Sequence, residues 1–143
     1  LEGEWEGRGF ITLGEDSVER ECTVQWQAQQ LLDGWAIQDE INIFTPNGRL
    51  ISRSTLLRTY SADIGQWKVV ELSLPGQQIT EFRAGREDDR MVMFGKRDDN
   101  GSIHHLRIDF HEIYRDSFKM RMTISEDGSI WGKSGLRFVM KRK

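Results

Sequence analysis

The sequence predicts an all-β fold, a single antiparallel up-and-down β-barrel of about ten strands formed as one domain over residues 1–143. Two observations carry that expectation. Turn signals recur at short, fairly even intervals: Asp33-Gly34, Pro46-Asn47-Gly48, Ala62-Asp63-Ile64-Gly65, Pro75-Gly76, Asp99-Asn100-Gly101 and Glu126-Asp127-Gly128. Each contains residues that tolerate positive φ or preset a turn. Between them, apolar side chains alternate with polar ones at a period of two, the mark of half-buried strands. Hairpins in succession, with no crossover helix, form a meander, and rolling it closed removes the exposed edges.

The segments between turns fall at roughly 3–13, 17–32, 35–45, 49–61, 66–74, 77–85, 90–98, 102–115, 118–125 and 129–141. In the first, Gly7 and Gly9 permit a bend or bulge, as do Gly95, Gly132 and Gly135 later in the chain. The second is ambiguous. Val18, Cys22 and Trp26 are spaced for a helix, yet Cys22, Val24, Trp26 and Ala28 alternate into a hairpin-like Asp33-Gly34, so a strand is expected. The third carries a stripe of Trp35, Ile37, Ile41 and Ile43, interrupted by Asp39. In the fourth, Ser52, Ser54, Leu56, Arg58 and Tyr60 share one face. In the eighth, Leu106, Ile108, Phe110 and Tyr114 oppose His105, Arg107, Asp109 and His111. In the ninth, Phe118, Met120, Met122 and Ile124 oppose Lys119, Arg121 and Thr123.

Hydrophobic residues make up 37% and charged residues 30%, which is the balance of a globular chain, and no apolar stretch is long enough to span a bilayer. The formal net charge is −3, with both signs interspersed. A nucleic-acid binder concentrates positive charge to displace counterions, and the short Lys141-Arg142-Lys143 tail does not, so no nucleic-acid partner is expected. The single cysteine, Cys22, cannot close an internal disulfide. That fits the cytoplasmic setting expected here and does not exclude a periplasmic or secreted one. Leu rather than Met at position 1 implies a trimmed or processed start.

The opening Leu1-Glu2-Gly3-Glu4-Trp5-Glu6-Gly7 resembles the leucine-x-glycine-x-tryptophan-x-glycine start of lipocalin-like barrels. With Trp26 before Leu31-Leu32-Asp33-Gly34-Trp35, then Tyr60 through Trp67 and Ser125 through Trp131, the chain resembles a bacterial family known as domain of unknown function fifteen-seventy-nine. The resemblance implies a ten-stranded, lipocalin/calycin-like barrel with no assigned activity. The opening is also similar to that of nitrobindins, whose haem ligand is a histidine in the last strand. Here the last segment holds no histidine, and Gly135 stands nearest the matching position. No cofactor is expected.

The candidate site residues are Asp39, Arg58, Tyr60, His104 and Trp35. An inward Arg58 with Tyr60 two residues on can grip a ligand carboxylate through charge-assisted hydrogen bonds. Asp39 among apolar neighbours is costly unless paired, and a cation such as Arg58 is its expected partner; a bulge would instead bring Glu40 inside. His104 shares parity with Leu106 and is expected inside, most simply hydrogen-bonded to a neighbour. The tryptophans and methionines are expected as core or cavity lining, with Trp5 sealing one end of the barrel. His104 and His105 point to opposite faces, and His105 and His111 lie roughly 20 Å apart on a strand, so no metal site is expected. His105, Arg107, Asp109 and His111 are expected as a solvated outer face. No nucleophile elbow, dinucleotide fingerprint or phosphate loop occurs.

These features point to a barrel that binds a small hydrophobic or amphipathic ligand, carboxylates included, rather than to an enzyme. Two alternatives stand beside it. One is an enzyme (isomerase, cyclase or hydrolase) that pairs a buried acid with His104 in one pocket. The other is a filled, structural barrel that forms a homodimer through an apolar outer face.

Overall fold

The computed structural model describes residues 2–12, 18–132 and 134–143. Ten strands follow one another: β1 (Gly3–Thr12), β2 (Glu19–Leu31), β3 (Ala36–Phe44), β4 (Leu50–Ser61), β5 (Gln66–Leu74), β6 (Gln78–Glu87), β7 (Arg90–Asp99), β8 (Ser102–His111), β9 (Ser117–Ser125) and β10 (Ser134–Arg142). Each pairs antiparallel with its neighbour in sequence, and β10 pairs with β1 to close the barrel. The predicted fold class therefore holds: all-β, up-and-down and closed. Residues 13 and 17, placed in the first two predicted segments, lie outside the described residues, as does Lys133.

The alternation read from the sequence decides which side chains enter the barrel. Cys22, Val24, Trp26 and Ala28 of β2 are all buried, so strand geometry prevails over the helical spacing. Phe118 and Met120 of β9, Phe138 and Met140 of β10, and Leu106, Ile108 and Phe110 of β8 complete the far wall. An aromatic cluster closes one end. The Trp5 and Phe118 rings meet edge to face at 5.0 Å, and Trp26 contacts Phe118 at 5.6 Å and Phe110 at 6.0 Å. The Arg142 guanidinium lies 4.4 Å from the Trp5 ring centre. The expected packing role of Trp5 at a barrel end is what the structure shows.

Gly7 and Gly9 have a sharper role than the bend expected of them. A Cβ at Gly9 would collide with the Arg137 carbonyl oxygen and come within 2.6 Å of the Phe138 ring. One at Gly7 would strike Val139 O and Met140 Sδ. Both glycines let β1 approach β10 closely enough to close the ladder.

Three expectations, two of them about strand ends, are corrected. β3 begins at Ala36, after a turn in which Leu32, Asp33 and Gly34 all have positive φ, so Trp35 falls outside the alternation. β8 ends at His111, and Tyr114, expected to face inward, is exposed. Asp109, expected on a solvated outer face, is 2% exposed. Arg107 grips it through Nε and Nη2 at 2.9–3.2 Å and, with Val92 alongside, covers it. Arg107 in turn lies over the Phe94 ring at 5.2 Å.

Candidate functional site

Three adjacent strands build the polar centre of the barrel interior. Asp39 of β3 is fully buried, the position that the apolar stripe around it would forbid to a lone carboxylate. Arg58 of β4 donates from Nε to Asp39 Oδ2 at 2.6 Å and from Nη2 to Oδ1 at 2.9 Å. Trp26 of β2 donates its indole N–H to the same Oδ1 at 2.9 Å. The register explains the convergence. Asp39 sits opposite Ala28 on one side and Leu56 on the other, so Trp26 and Arg58 are its diagonal neighbours. The expected Asp39–Arg58 pairing is present, whereas Glu40 is exposed on the outer face. The indole donor from Trp26 was not expected. Its signal was available, since a buried tryptophan needs an acceptor for its N–H.

This triad lines an internal cavity of about 350 Å³. Such a volume lies at the small end of the roughly 300–1,000 Å³ range of ligand pockets. The walls are two-sided. Toward β3–β5 they carry Asp39, Ser54, Arg58 and Glu71 among apolar residues; toward β7–β10 they are Met93, Ile108, Met122, Leu136 and Phe138. Ile113, from the β8–β9 connection, also lines the cavity and is 41% exposed, so the space reaches that end of the barrel. Larger depressions, of about 780 and 690 Å³, lie on the outer wall and hold no buried polar group comparable to Asp39.

Arg58 is only partly consumed by Asp39. Its Nη1 makes no hydrogen bond among the described residues, and the side chain borders the cavity. Locked by two bonds and flanked by the Trp67 ring at 6.0 Å, the guanidinium is a positioned donor. Glu71 is the residue that sequence reasoning missed. It shares parity with Trp67 and Val69, an alternation within 66–74 that would have placed it inside. Burial pushes its carboxyl above the usual range, with Arg97 pulling the other way.

The other candidates divide. Tyr60, one residue from the end of β4, is 52% exposed and lays its ring on Trp67 at 5.4 Å; it stands at the rim and does not join Arg58 in the cavity. Trp35 is 78% exposed, and its carbonyl accepts a hydrogen bond from Thr59 Oγ1 at 3.0 Å. His104 is half-buried opposite Arg97, near the β7–β8 turn, and does not line the cavity with Asp39. The convergence of acid and imidazole that an enzyme reading called for is therefore not formed by these two residues. Asp109, two residues before His111 on β8, is turned to Arg107. Among the described residues, no three His, Cys, Asp or Glu side chains converge on one point.

The fold and this site define a class: a closed ten-stranded up-and-down β-barrel with a small internal cavity in which the fully buried Asp39 is paired with Arg58. The whole chain superposes on the crystal structure of Rv2717c from M. tuberculosis, with a TM-score of 0.72 at 13% identity, covering 92% of that chain. At that identity the likeness is one of fold. No family model matches the chain, and a search of curated proteins finds no match.

Proposed function

We propose that the chain is a lipocalin-like binding barrel that holds one small apolar or amphipathic molecule in the cavity, with Arg58 meeting its polar group. The observation that carries this reading is the cavity itself. It is mainly apolar, and Arg58, the positioned cation on its wall, keeps its Nη1 without a hydrogen bond among the described residues. An apolar body gains from leaving water, and an oxygen acceptor on it (carbonyl, hydroxyl or carboxylate) gains a charge-assisted hydrogen bond. The resemblance to the bacterial family known as domain of unknown function fifteen-seventy-nine fits the same architecture. The nitrobindin mode is not adopted, because Gly135, the residue nearest the matching position, carries no side chain that could ligate haem.

Trp26 and Trp67 border the cavity, so occupancy alters tryptophan emission. Native mass spectrometry of the purified protein, followed by titration of the released species, is expected to show one small molecule per chain and saturable quenching. A filled Ile108→Trp/Leu136→Phe barrel is expected to lose both. Retention of binding by that variant would place the ligand elsewhere.

A further inference from the structure

Four positions surround Leu56 on the cavity wall. Asp39 and Glu71 lie directly opposite it on either side, while Ser54 and Arg58 lie two residues away along the same strand. All four border the cavity. Only Asp39 is satisfied by its neighbours. Among the described residues the Ser54 hydroxyl, the Glu71 carboxyl and the Arg58 Nη1 make no hydrogen bond. Thr80, across the ladder from Glu71, does not relieve it: its own hydroxyl is buried without a partner, with the residue 1% exposed. Polar groups left unbonded beside an apolar space are costly, and such groups in folded proteins are met by ligand or water. The facing wall offers only methionine, leucine, isoleucine and phenylalanine.

We infer that the ligand is facially amphipathic and uncharged: a compact apolar body with two or more hydroxyl or carbonyl groups along one edge, read by Arg58, Ser54 and Glu71 together. This rests on the binding reading above and narrows it. The charge argument weighs against an anion. Asp39 already cancels Arg58, so a carboxylate brought to Nη1 would add an uncompensated charge beside Glu71 in a poorly hydrated space. Glu71 can accept from a ligand hydroxyl, and burial shifts its carboxyl toward the form that also donates, with Arg97 opposing. The charged groups nearby are Arg58 and Asp39, paired with each other, Arg97 on β7, and beyond it His104 on β8.

Five bicyclic probes of one size separate these claims by calorimetric titration: naphthalene, 2-naphthol, 2-naphthoate, and the 2,6- and 2,7-dihydroxy compounds. Only the 2,7 isomer places both hydroxyls along one edge. It is expected to bind about ten-fold more tightly than the 2,6 isomer, the equivalent of one good hydrogen bond. The 2-naphthoate is expected to bind more weakly than 2-naphthol. Glu71→Gln, which keeps a donor and an acceptor, should retain the 2,7 preference. Glu71→Leu should lose it while naphthalene binding persists, and Ser54→Ala should reduce it if the leucine variant does not fold. Equal binding of the two diols, or tightest binding of the naphthoate, would overturn the facial reading alone. Failure of all five to bind would overturn the cavity reading with it.

Discussion

At the scale of single residues, the energetics of the interior turn on Asp39. Its side chain has no exposure, and Arg58 and Trp26 direct three N–H groups at its two oxygens. Removing one partner is costlier than removing the pair, because the remaining charge stays buried. Arg58→Leu is expected to destabilise the barrel by about 3–5 kcal/mol, and Asp39→Leu/Arg58→Leu by clearly less. Urea unfolding of the single and double variants checks this, and a double variant no more stable than Arg58→Leu would refute it. Cys22 makes a simpler case. Burial pushes its thiol up to about 11, so the nucleophilic thiolate is scarce at neutral pH. Its reaction with a disulfide reagent at pH 8 should proceed only at the rate of unfolding, and rapid labelling of the native protein would contradict the buried placement.

Among the connecting elements, the β9–β10 segment shows how one side chain organises a turn. Asp127 Oδ1 accepts hydrogen bonds from the Ser129 and Ile130 amides at 2.9 Å and from the Ser125 hydroxyl at 3.0 Å. These donors hold its carboxyl far below the ordinary aspartate range, the Ile130 amide foremost. The folded value is depressed, so the contribution is present above the unfolded value, near 4, and is lost only as pH falls through the folded one. Amide exchange at Ser129 and Ile130 should therefore stay protected through pH 4, where an ordinary aspartate is half protonated. Asp127→Ala should remove that protection at every pH. The segment also lies along the outer wall, where Trp131 meets Phe94 at 6.4 Å.

For the whole molecule, nine of the ten strand pairings join neighbours in sequence, and one joins the two ends of the chain. That closing ladder runs from Trp5 opposite Arg142 to Ile11 opposite Leu136. Hairpins close short loops, whereas the seam must bring together strands separated by nearly the full chain, so it is expected to form last. A substitution confined to the seam should then leave the refolding rate nearly unchanged and speed unfolding. Gly9→Ala, which puts a methyl against Arg137 and Phe138, is expected to cost about 1–3 kcal/mol as overpacking. Stopped-flow kinetics should show that cost in the unfolding limb; a matching fall in the refolding rate would place seam closure before the transition state.

Strand number, order and antiparallel pairing were legible in the sequence because turn chemistry and period-two alternation are local signals. The fifth segment, 66–74, was bounded as the structure has it. Local signals failed where a strand stopped short. Trp35 and Tyr114 keep the right parity on paper but lie beyond the last ladder pair, where parity no longer directs a side chain. The Asp39–Arg58 pair could be anticipated, since a buried charge must find its opposite. Glu71 escaped notice although its parity was readable, for nothing in one strand tells which inward groups a neighbouring strand will satisfy. The chain itself determined that alternate side chains would face a common interior. Only closure of the barrel decided which of them meet across strands, which remain unbonded, and how much space is left between two walls of unequal polarity.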